Sequence, residues 1–452
     1  MNFLLILLVL IFNVNGNNEK FTNPWVWFCN TKGNKCQREL KIQISNQTTF
    51  NSLELCRLVC GKYAGLWPKP TYSTKLSKDL IQIHPKNIKF INLNIPEDTN
   101  NLLKEMQNIF MENSNLKYTT CEYTENVVKI NFDFNETDLI NLNPKINENY
   151  ELKIFTEIPI VYVNISAENI FGIRHGLETL SQLIAVNTTS NYNILSMISQ
   201  GLIKDGPKFH HRGLLIDTSR HYLKLSTIKK QIDGLRMNKM NVLHWHVTDS
   251  HSFPMLLPNV PQLAQYGAYS NDKVYTLNDI EEIIKYGKTR GVRIILEIDT
   301  PSHAGNGWQF GEFEIEKNLG ELATCLNYFP YNLYCLQPPC GQINPMNDNV
   351  YVILEKLFRD IGKVYENKEY FHLGGDEVSI GCWKTNKDVF NYIKNLNVSD
   401  TRMGYLTLWA KYQNKIVNIY NKTITNGNQK VIIWSSGLTS YKTANKFLDK
   451  NK

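Results

Sequence analysis

Beyond Gly206-Pro207 the apolar residues fall into short unbroken runs, rich in β-branched side chains, which alternate with longer stretches whose apolar positions recur three and four apart. The runs are Arg212–Asp217, Val242–Val247, Val292–Asp299, Tyr370–Gly374 and Val431–Trp434. A run that is apolar at nearly every position is what a strand buried on both faces requires. Between them, Ile228–Met237, Leu277–Arg290, Val352–Glu366 and Leu406–Tyr420 carry the helical period. Strand, helix, strand, repeated, is the order of a parallel barrel, so residues 206–452 are expected to form an α/β fold of the (β/α)8 TIM type, with about five βα units in the chain.

Upstream the pattern changes. Met1 to Gly16 holds an aliphatic stretch, Leu4 to Phe12, and a small-residue exit, Val14-Asn15-Gly16. That core is too short to span a bilayer and reads as a cleaved secretory leader, with an uncleaved amino-terminal anchor as the alternative. No later stretch is apolar enough to cross a membrane. Residues 17–71, with Trp25, Trp27, four cysteines and Leu66-Trp67-Pro68-Lys69-Pro70, read as a disulfide-pinned extension. Residues 72–205 alternate strongly at Asn126–Phe134 and Ile160–Ile165, then place Ile170, Ile173, Leu177, Leu180 and Leu183 at helical spacing. They predict a smaller α+β domain without a cluster of catalytic residue types.

Charge narrows the function. A net +7 is spread over 49 basic and 42 acidic residues with no Lys/Arg block, which leaves a nucleic-acid partner without support. The nine cysteines cluster as Cys29, Cys36, Cys56 and Cys60, then Cys121 alone, then Cys325, Cys335 and Cys340, then Cys382. In an oxidising compartment they are disulfides first, since the first four lack the paired knuckles of a zinc site. Cys335 and Cys340 can close a small loop, and an odd count leaves one thiol over. Sequons at Asn46, Asn135, Asn164, Asn187, Asn397 and Asn421 suit a secretory route but are common by chance in so Asn-rich a chain.

The chemistry concentrates at Phe371-His372-Leu373-Gly374-Gly375-Asp376-Glu377. Two glycines allow a tight turn at a strand exit, and two adjacent carboxylates follow. Such neighbours repel, so their environments can drive their proton affinities apart, one staying ionised while the other donates. The plain alternative is a solvated acidic turn. The other runs also end in polar or aromatic groups: Asp217-Thr218-Ser219-Arg220, His246-Val247-Thr248-Asp249, Asp299-Thr300-Pro301-Ser302-His303 and Trp434-Ser435. Barrel enzymes place their functional groups at those ends. His244 and His246 share a strand face near Asp249, a pattern open to metal ligation. On a buried, aromatic-flanked strand it reads first as hydrogen-bonded core, and no metal or other cofactor is expected.

Four ordered motifs carry a resemblance. Phe209 to Leu223, Asn241-Val242-Leu243-His244-Trp245-His246, Glu297-Ile298-Asp299-Thr300-Pro301-Ser302-His303 and His372-x-Gly-Gly-Asp-Glu377 resemble the β-N-acetylhexosaminidases of glycoside hydrolase family 20, and the cysteine-rich start resembles their secreted arthropod members. The resemblance implies a retaining exo-glycosidase that removes terminal N-acetylglucosamine or N-acetylgalactosamine from chitooligosaccharides or glycoconjugates, with the sugar's own acetamido oxygen as nucleophile. It implies Glu377 as general acid and then base, Asp376 as the group orienting the acetamido, and Asp249 and His303 as a supporting relay. Arg212 would grip sugar hydroxyls, and Trp434 would form an apolar wall. Trp434 as plain core and His303 as a structural histidine stay open. A Cys325–Cys382 disulfide, a glycan substrate and a homodimer are implied in the same way. Secretion is the expected destination and the lysosome the alternative, since both begin with the same leader.

Eight βα units close a barrel, and three more at roughly 30 residues each would need on the order of 90 further residues. The chain is therefore read as lacking a carboxyl-terminal part of the catalytic domain. The competing reading is a secreted, catalytically inactive carbohydrate-binding or recognition protein on the same scaffold.

Overall fold

The computed structural model describes residues 24–448 apart from 31, 33, 44–47, 92–94, 113–115, 117–122, 135–141, 189–192, 366–369, 397–400 and 426–429. The leader, Cys121 and the sequons at Asn46, Asn135 and Asn397 lie outside the described residues.

The extension is a three-stranded antiparallel sheet, Trp25–Asn30, Lys35–Leu40 and Thr49–Phe50, closed by the helix Leu53–Val59. Disulfides Cys29–Cys60 and Cys36–Cys56 tie its two longer strands to the helix, whose Leu55 and Leu58 join the core of the next domain. That domain holds a six-stranded mixed sheet in which Tyr150–Glu157, Ile160–Ala167 and Val127–Asp133 lie side by side. Along Val127–Asp133 and Ile160–Ala167 buried and half-buried residues alternate, as the alternating sequence predicts for one covered face. The covering element is the helix Ile170–Gln182, capped by Asn169. Ile170 through Leu180 are all buried, the mark of a helix enclosed on every side. One side rests on the sheet, where a Cβ at Gly176 would come within 2.4 Å of Ile165. The other meets the domain that follows in the chain, where Arg174 donates to the Arg236 carbonyl.

That second domain contains five parallel strands paired in chain order: β1 (Gly213–Asp217), β2 (Val242–Thr248), β3 (Arg293–Ile298), β4 (Tyr370–His372) and β5 (Lys430–Ile432). Helices α1 (Leu225–Met237), α2 (Leu277–Thr289), α3 (Asp348–Ile361) and α4 (Thr401–Tyr420) lie among them as expected. Several boundaries moved: α1 and α4 begin three and five residues earlier than the apolar period does, and both ends of α3 shift. The side chain of Asn347 accepts the Asn349 N–H and starts α3 four residues before the apolar period does, and Gly362 ends it. The core joins buried faces of all four helices to a β3 buried at every position. The strand β1 departs from the expectation of burial on both faces. Leu214 and Leu215 are 39% and 42% exposed, because β1, like β5, has a strand neighbour on one side only among the described residues.

The two domains meet through buried charge. Arg212 presents its Nη2 to both Glu148 carboxylate oxygens at 2.8 Å, and Asn241 and His175 donate to the same carboxylate at 3.0 and 2.9 Å. Burial works against this carboxylate, and the His175 and Arg212 donors overcome it, holding its pKa at about 2. His175 is itself pushed down to about 3 by burial and the adjacent Arg174, so it donates to Glu148 as a neutral ring. Lys239 pairs with Asp205 at 2.8 Å close by.

Removing one partner of a buried pair strands the other charge, at a cost of about 3 kcal/mol. Arg212→Ala and Glu148→Ala are each expected to lose stability on that scale in urea denaturation, with the double variant losing far less than the sum.

Candidate active site

The strand β4 delivers the acidic pair through a turn built for it. Gly374 and Gly375 have φ of 63° and 86°, conformations open to glycine, and a Cβ on Gly374 would fall 1.7 Å from Asp299 Oδ1. The Gly374 N–H donates to His372 Nδ1 at 3.0 Å, the Gly375 N–H to Asp299 Oδ1 at 3.0 Å, and the Trp434 N–H to the Gly374 carbonyl at 2.9 Å. The turn is thus clamped between the ends of β3 and β5. Burial, with the ionised Glu297 nearby, pushes the Asp299 carboxyl well up. Beyond the turn, disulfide Cys325–Cys382 and a pair of hydrogen bonds between Gln342 and Ser379 (2.8 and 3.1 Å) fasten the following loop to the segment after β3. Cys335 and Cys340 close the expected small loop.

Glu377 and His303 face each other. Both are non-glycine residues in the left-handed region, at φ 48° and 57°. Such conformations cost on the order of 1–3 kcal/mol each and gather at functional sites. His303 Nε2 lies 3.2 Å from Glu377 Oε2, and its Nδ1 lies 3.3 Å from Asp249 Oδ2. Asp249 is further held by Arg220 at 2.6 Å and His246 at 3.2 Å, and Arg220 reaches back to Asp217 at 2.5 Å. Burial opposes the His303 cation, but Asp249 and Glu377 override it and push its pKa up to about 11. The Glu377 carboxyl is lowered by the His303 hydrogen bond, whereas Asp376 is raised, chiefly by burial and by its neighbour Glu377. The pair is driven apart in the direction that leaves Glu377 ionised in the unliganded site. Asp376 Oδ1 is buried without a hydrogen-bond partner, which is rare for a carboxylate and leaves an acceptor free for a ligand N–H.

A cavity of 370 Å³ opens beside the pair, lined among others by Trp383, Arg402, Tyr405 and Trp409. Below the pair, one sheet row runs Asp217, His246, Glu297, His372, Ile432 across the five strands. Glu297, wholly buried, lies 2.6 Å from His244 Nε2, 3.0 Å from His246 Nδ1 and 2.7 Å from the donating Trp434 Nε1.

The structure therefore brings together Asp376, Glu377, His303 and Asp249, and it moves two expectations. Arg212 is not at the site: it precedes β1, at the end of the sheet opposite the acids, and its guanidinium is spent on Glu148 and on the Lys239 and Phe209 carbonyls. Arg220, beyond the other end of β1, stands where Arg212 was expected. Both occur in the same motif, and the rule that function sits at strand carboxyl ends separates them. Trp434 is half-buried, stacked over His244 and tilted over His372 at centroid distances of 5.5 and 4.5 Å, with its N–H committed to Glu297. It does not line the cavity beside Glu377.

Comparison with known proteins gives the family and the fold. A family model described as glycosyl hydrolase family 20, catalytic domain, matches residues 209–451, and one described as beta-acetyl hexosaminidase like matches 66–183. The chain is 35% identical to a chitooligosaccharidolytic beta-N-acetylglucosaminidase of Bombyx mori over 95% of this chain and 70% of that protein. It is 33% identical to its counterpart in Ostrinia furnacalis over 98% and 72%. Among solved structures, the Flavobacterium johnsoniae chitobiase superposes with a TM-score of 0.63 at 23% identity, covering 82% of this chain and 52% of that one. A Vibrio harveyi exo beta-N-acetylglucosaminidase gives 0.58 at 21% identity, over 85% and 59%. The chain thus spans little more than half the length of these two structures, whose likeness concerns the fold.

The two buried histidines set a pH dependence. Asp249 and Glu297 outweigh burial at His246 and push its pKa up to about 10, and His303 reaches about 11, each from an ordinary 6.5. A raised folded-state value stabilises fully below 6.5, and the contribution is gone once the pH has risen through 10 to 11. Urea stability is expected to fall between about pH 7 and about pH 10, and to fall less in His303→Gln.

Proposed function

Since this chain belongs to glycosyl hydrolase family 20, we propose that it forms the greater part of a retaining exo-β-N-acetylhexosaminidase acting on chitooligosaccharides or related glycans. The observation that carries the reading is the line Asp249, His303, Glu377, with the Asp376 oxygen beside it, which has His303 Nε2 at 3.8 Å but no hydrogen bond. The substrate class rests on what the two insect relatives are named for.

In the proposed reaction the acetamido N–H of the terminal sugar donates to Asp376, which turns the acetamido oxygen toward the anomeric carbon. That oxygen attacks, the glycosidic bond breaks, and its electron pair leaves on the aglycone oxygen, which takes a proton from Glu377. The ionised Glu377 of the free site must take up that proton first, and it does so from solvent at its partly exposed carboxylate, because the His303 imidazolium 3.2 Å away holds its own proton too tightly to give it up. Asp376 then offsets the positive charge of the cyclic intermediate. Water, deprotonated by Glu377, opens that intermediate with retention at the anomeric carbon. Arg220 replaces Arg212 as the cation proposed to meet sugar hydroxyls. The aglycone is assigned to the cavity lined by Tyr405 and Trp409, because the leaving oxygen must lie beside Glu377.

Entry into the secretory route is part of the same proposal, supported by the leader-like residues 1–16 and by four disulfides. No helix among the described residues is long and apolar enough to cross a membrane. A homodimer is expected from the family resemblance alone. No observation favours the inactive alternative.

Glu377→Gln removes the transferable proton while keeping shape. Hydrolysis of an aryl β-N-acetylglucosaminide is expected to fall by about 10²-fold or more with an unchanged circular dichroism spectrum. Retention of native turnover would refute the assignment. Arg220→Ala is expected to lower kcat/KM by at least about tenfold, as loss of a charge-assisted contact would.

A further inference from the structure

We propose that Glu297 and His246 are positioning residues of the acid–base site: the buried Glu297 carboxylate holds the His246 ring as an imidazolium, and that ring fixes the ionised Asp249 that turns His303 toward Glu377. The inference rests on the hydrolase reading for its kinetic consequence and on geometry for its substance.

Four successive contacts join the ends. Glu297 Oε2 lies 3.0 Å from His246 Nδ1, His246 Nε2 lies 3.2 Å from Asp249 Oδ2, the same oxygen lies 3.3 Å from His303 Nδ1, and His303 Nε2 lies 3.2 Å from Glu377 Oε2. Carboxylate and imidazole alternate along the whole line. Each ring therefore has a carboxylate oxygen within ion-pair distance of both nitrogens. The His246 Nε2 contact to Asp249 is an aligned hydrogen bond and the Glu297 Oε2 contact a charge pairing without one, and two anions about a ring favour its doubly protonated form. His246 and Glu297 are register partners on adjacent strands, so their side chains share the interior face of the sheet. Glu297 is completely buried and sits below the turn that carries the acids, out of reach of a substrate in the cavity. Its influence can pass upward through His246.

The surroundings admit this arrangement. Glu297 also faces His244, His372 and the Trp434 N–H. His372 accepts the Gly374 N–H at Nδ1, and burial lowers its proton affinity, so it brings no positive charge. Burial pushes up the carboxyl of Asp299, the other acid near His246. Asp249 also meets Arg220 and, at 3.6 Å, His251. The ionised anions touching the His246 ring are Glu297 and Asp249, and removal of either changes what the ring does.

The test reads ring nitrogens and kinetics separately, on the full chain. In protein labelled with ¹⁵N-histidine, His246 is expected to show two protonated ring nitrogens at about pH 7, above the ordinary histidine range. Glu297→Gln is expected to leave one, and Glu297→Asp to restore two. A neutral His246 in the native protein overturns the proposal, and this spectrum decides even if Glu297→Gln does not fold. In turnover, Glu297→Gln is expected to lower kcat by about tenfold, on the scale of losing an outer support of a functional group, with KM within about threefold. Its basic limb of kcat/KM should move to lower pH, because an anion favouring protonation of Glu377 is gone. Glu297→Asp should return the limb toward its native place. Equal losses in both variants with the limb unmoved would mean plain packing and overturn the proposal. A native chain without turnover would refute the hydrolase reading while leaving the ring-nitrogen result to be judged alone.

Discussion

A carboxylate with no solvent exposure inside a sheet of apolar strands is a demand that the rest of the catalytic domain answers. An isolated charge there would cost far more than a folded domain has to spare, so it must be surrounded by donors. Glu297 receives the Trp434 indole N–H at 2.7 Å and has His244 and His246 of β2 within 3.0 Å, while His372 of β4 packs beside it with its Nδ1 accepting from the Gly374 N–H. Those residues cannot be chosen independently. They fix which faces of three strands turn inward, and through His246 they reach the site above.

A second constraint is steric. The acids stand where they do because the turn before them has no side chains, and Asp299 occupies the space a Cβ would take. One buried carboxyl is pushed down by its neighbours and another, two residues further along the chain, is pushed up by burial, the sort of division that environment imposes on carboxyl groups of similar chemistry.

Much of the fold was legible in the sequence, because an apolar run of four to eight residues and a three-four period are direct records of burial. Five strands and four helices followed from that, and all were found near the expected residues. What the periodicity could not carry was anything decided by a partner elsewhere in the chain. The start of α3 depended on the side chain of Asn347, outside the period. Leu214 and Leu215 read as buried because the pattern does not say whether a strand has one neighbour or two. Arg212 and Arg220 are the same residue type eight positions apart, and only the direction of β1 tells that one faces Glu148 and the other Asp249. Glu297 sat in plain view within Ile294-Ile295-Leu296-Glu297-Ile298, with nothing local to show that its neighbours would be histidines from two other strands.

The left-handed backbone at Glu377 has a consequence for evolution and engineering. Residues other than glycine and asparagine resist that conformation, so the position is held by duty against its own preference. A lineage released from catalysis would drift there toward glycine or asparagine and gain stability by doing so. Selection of this protein for heat resistance alone would favour the same exchange, so a screen that rewards survival without turnover would enrich for robust, idle enzymes.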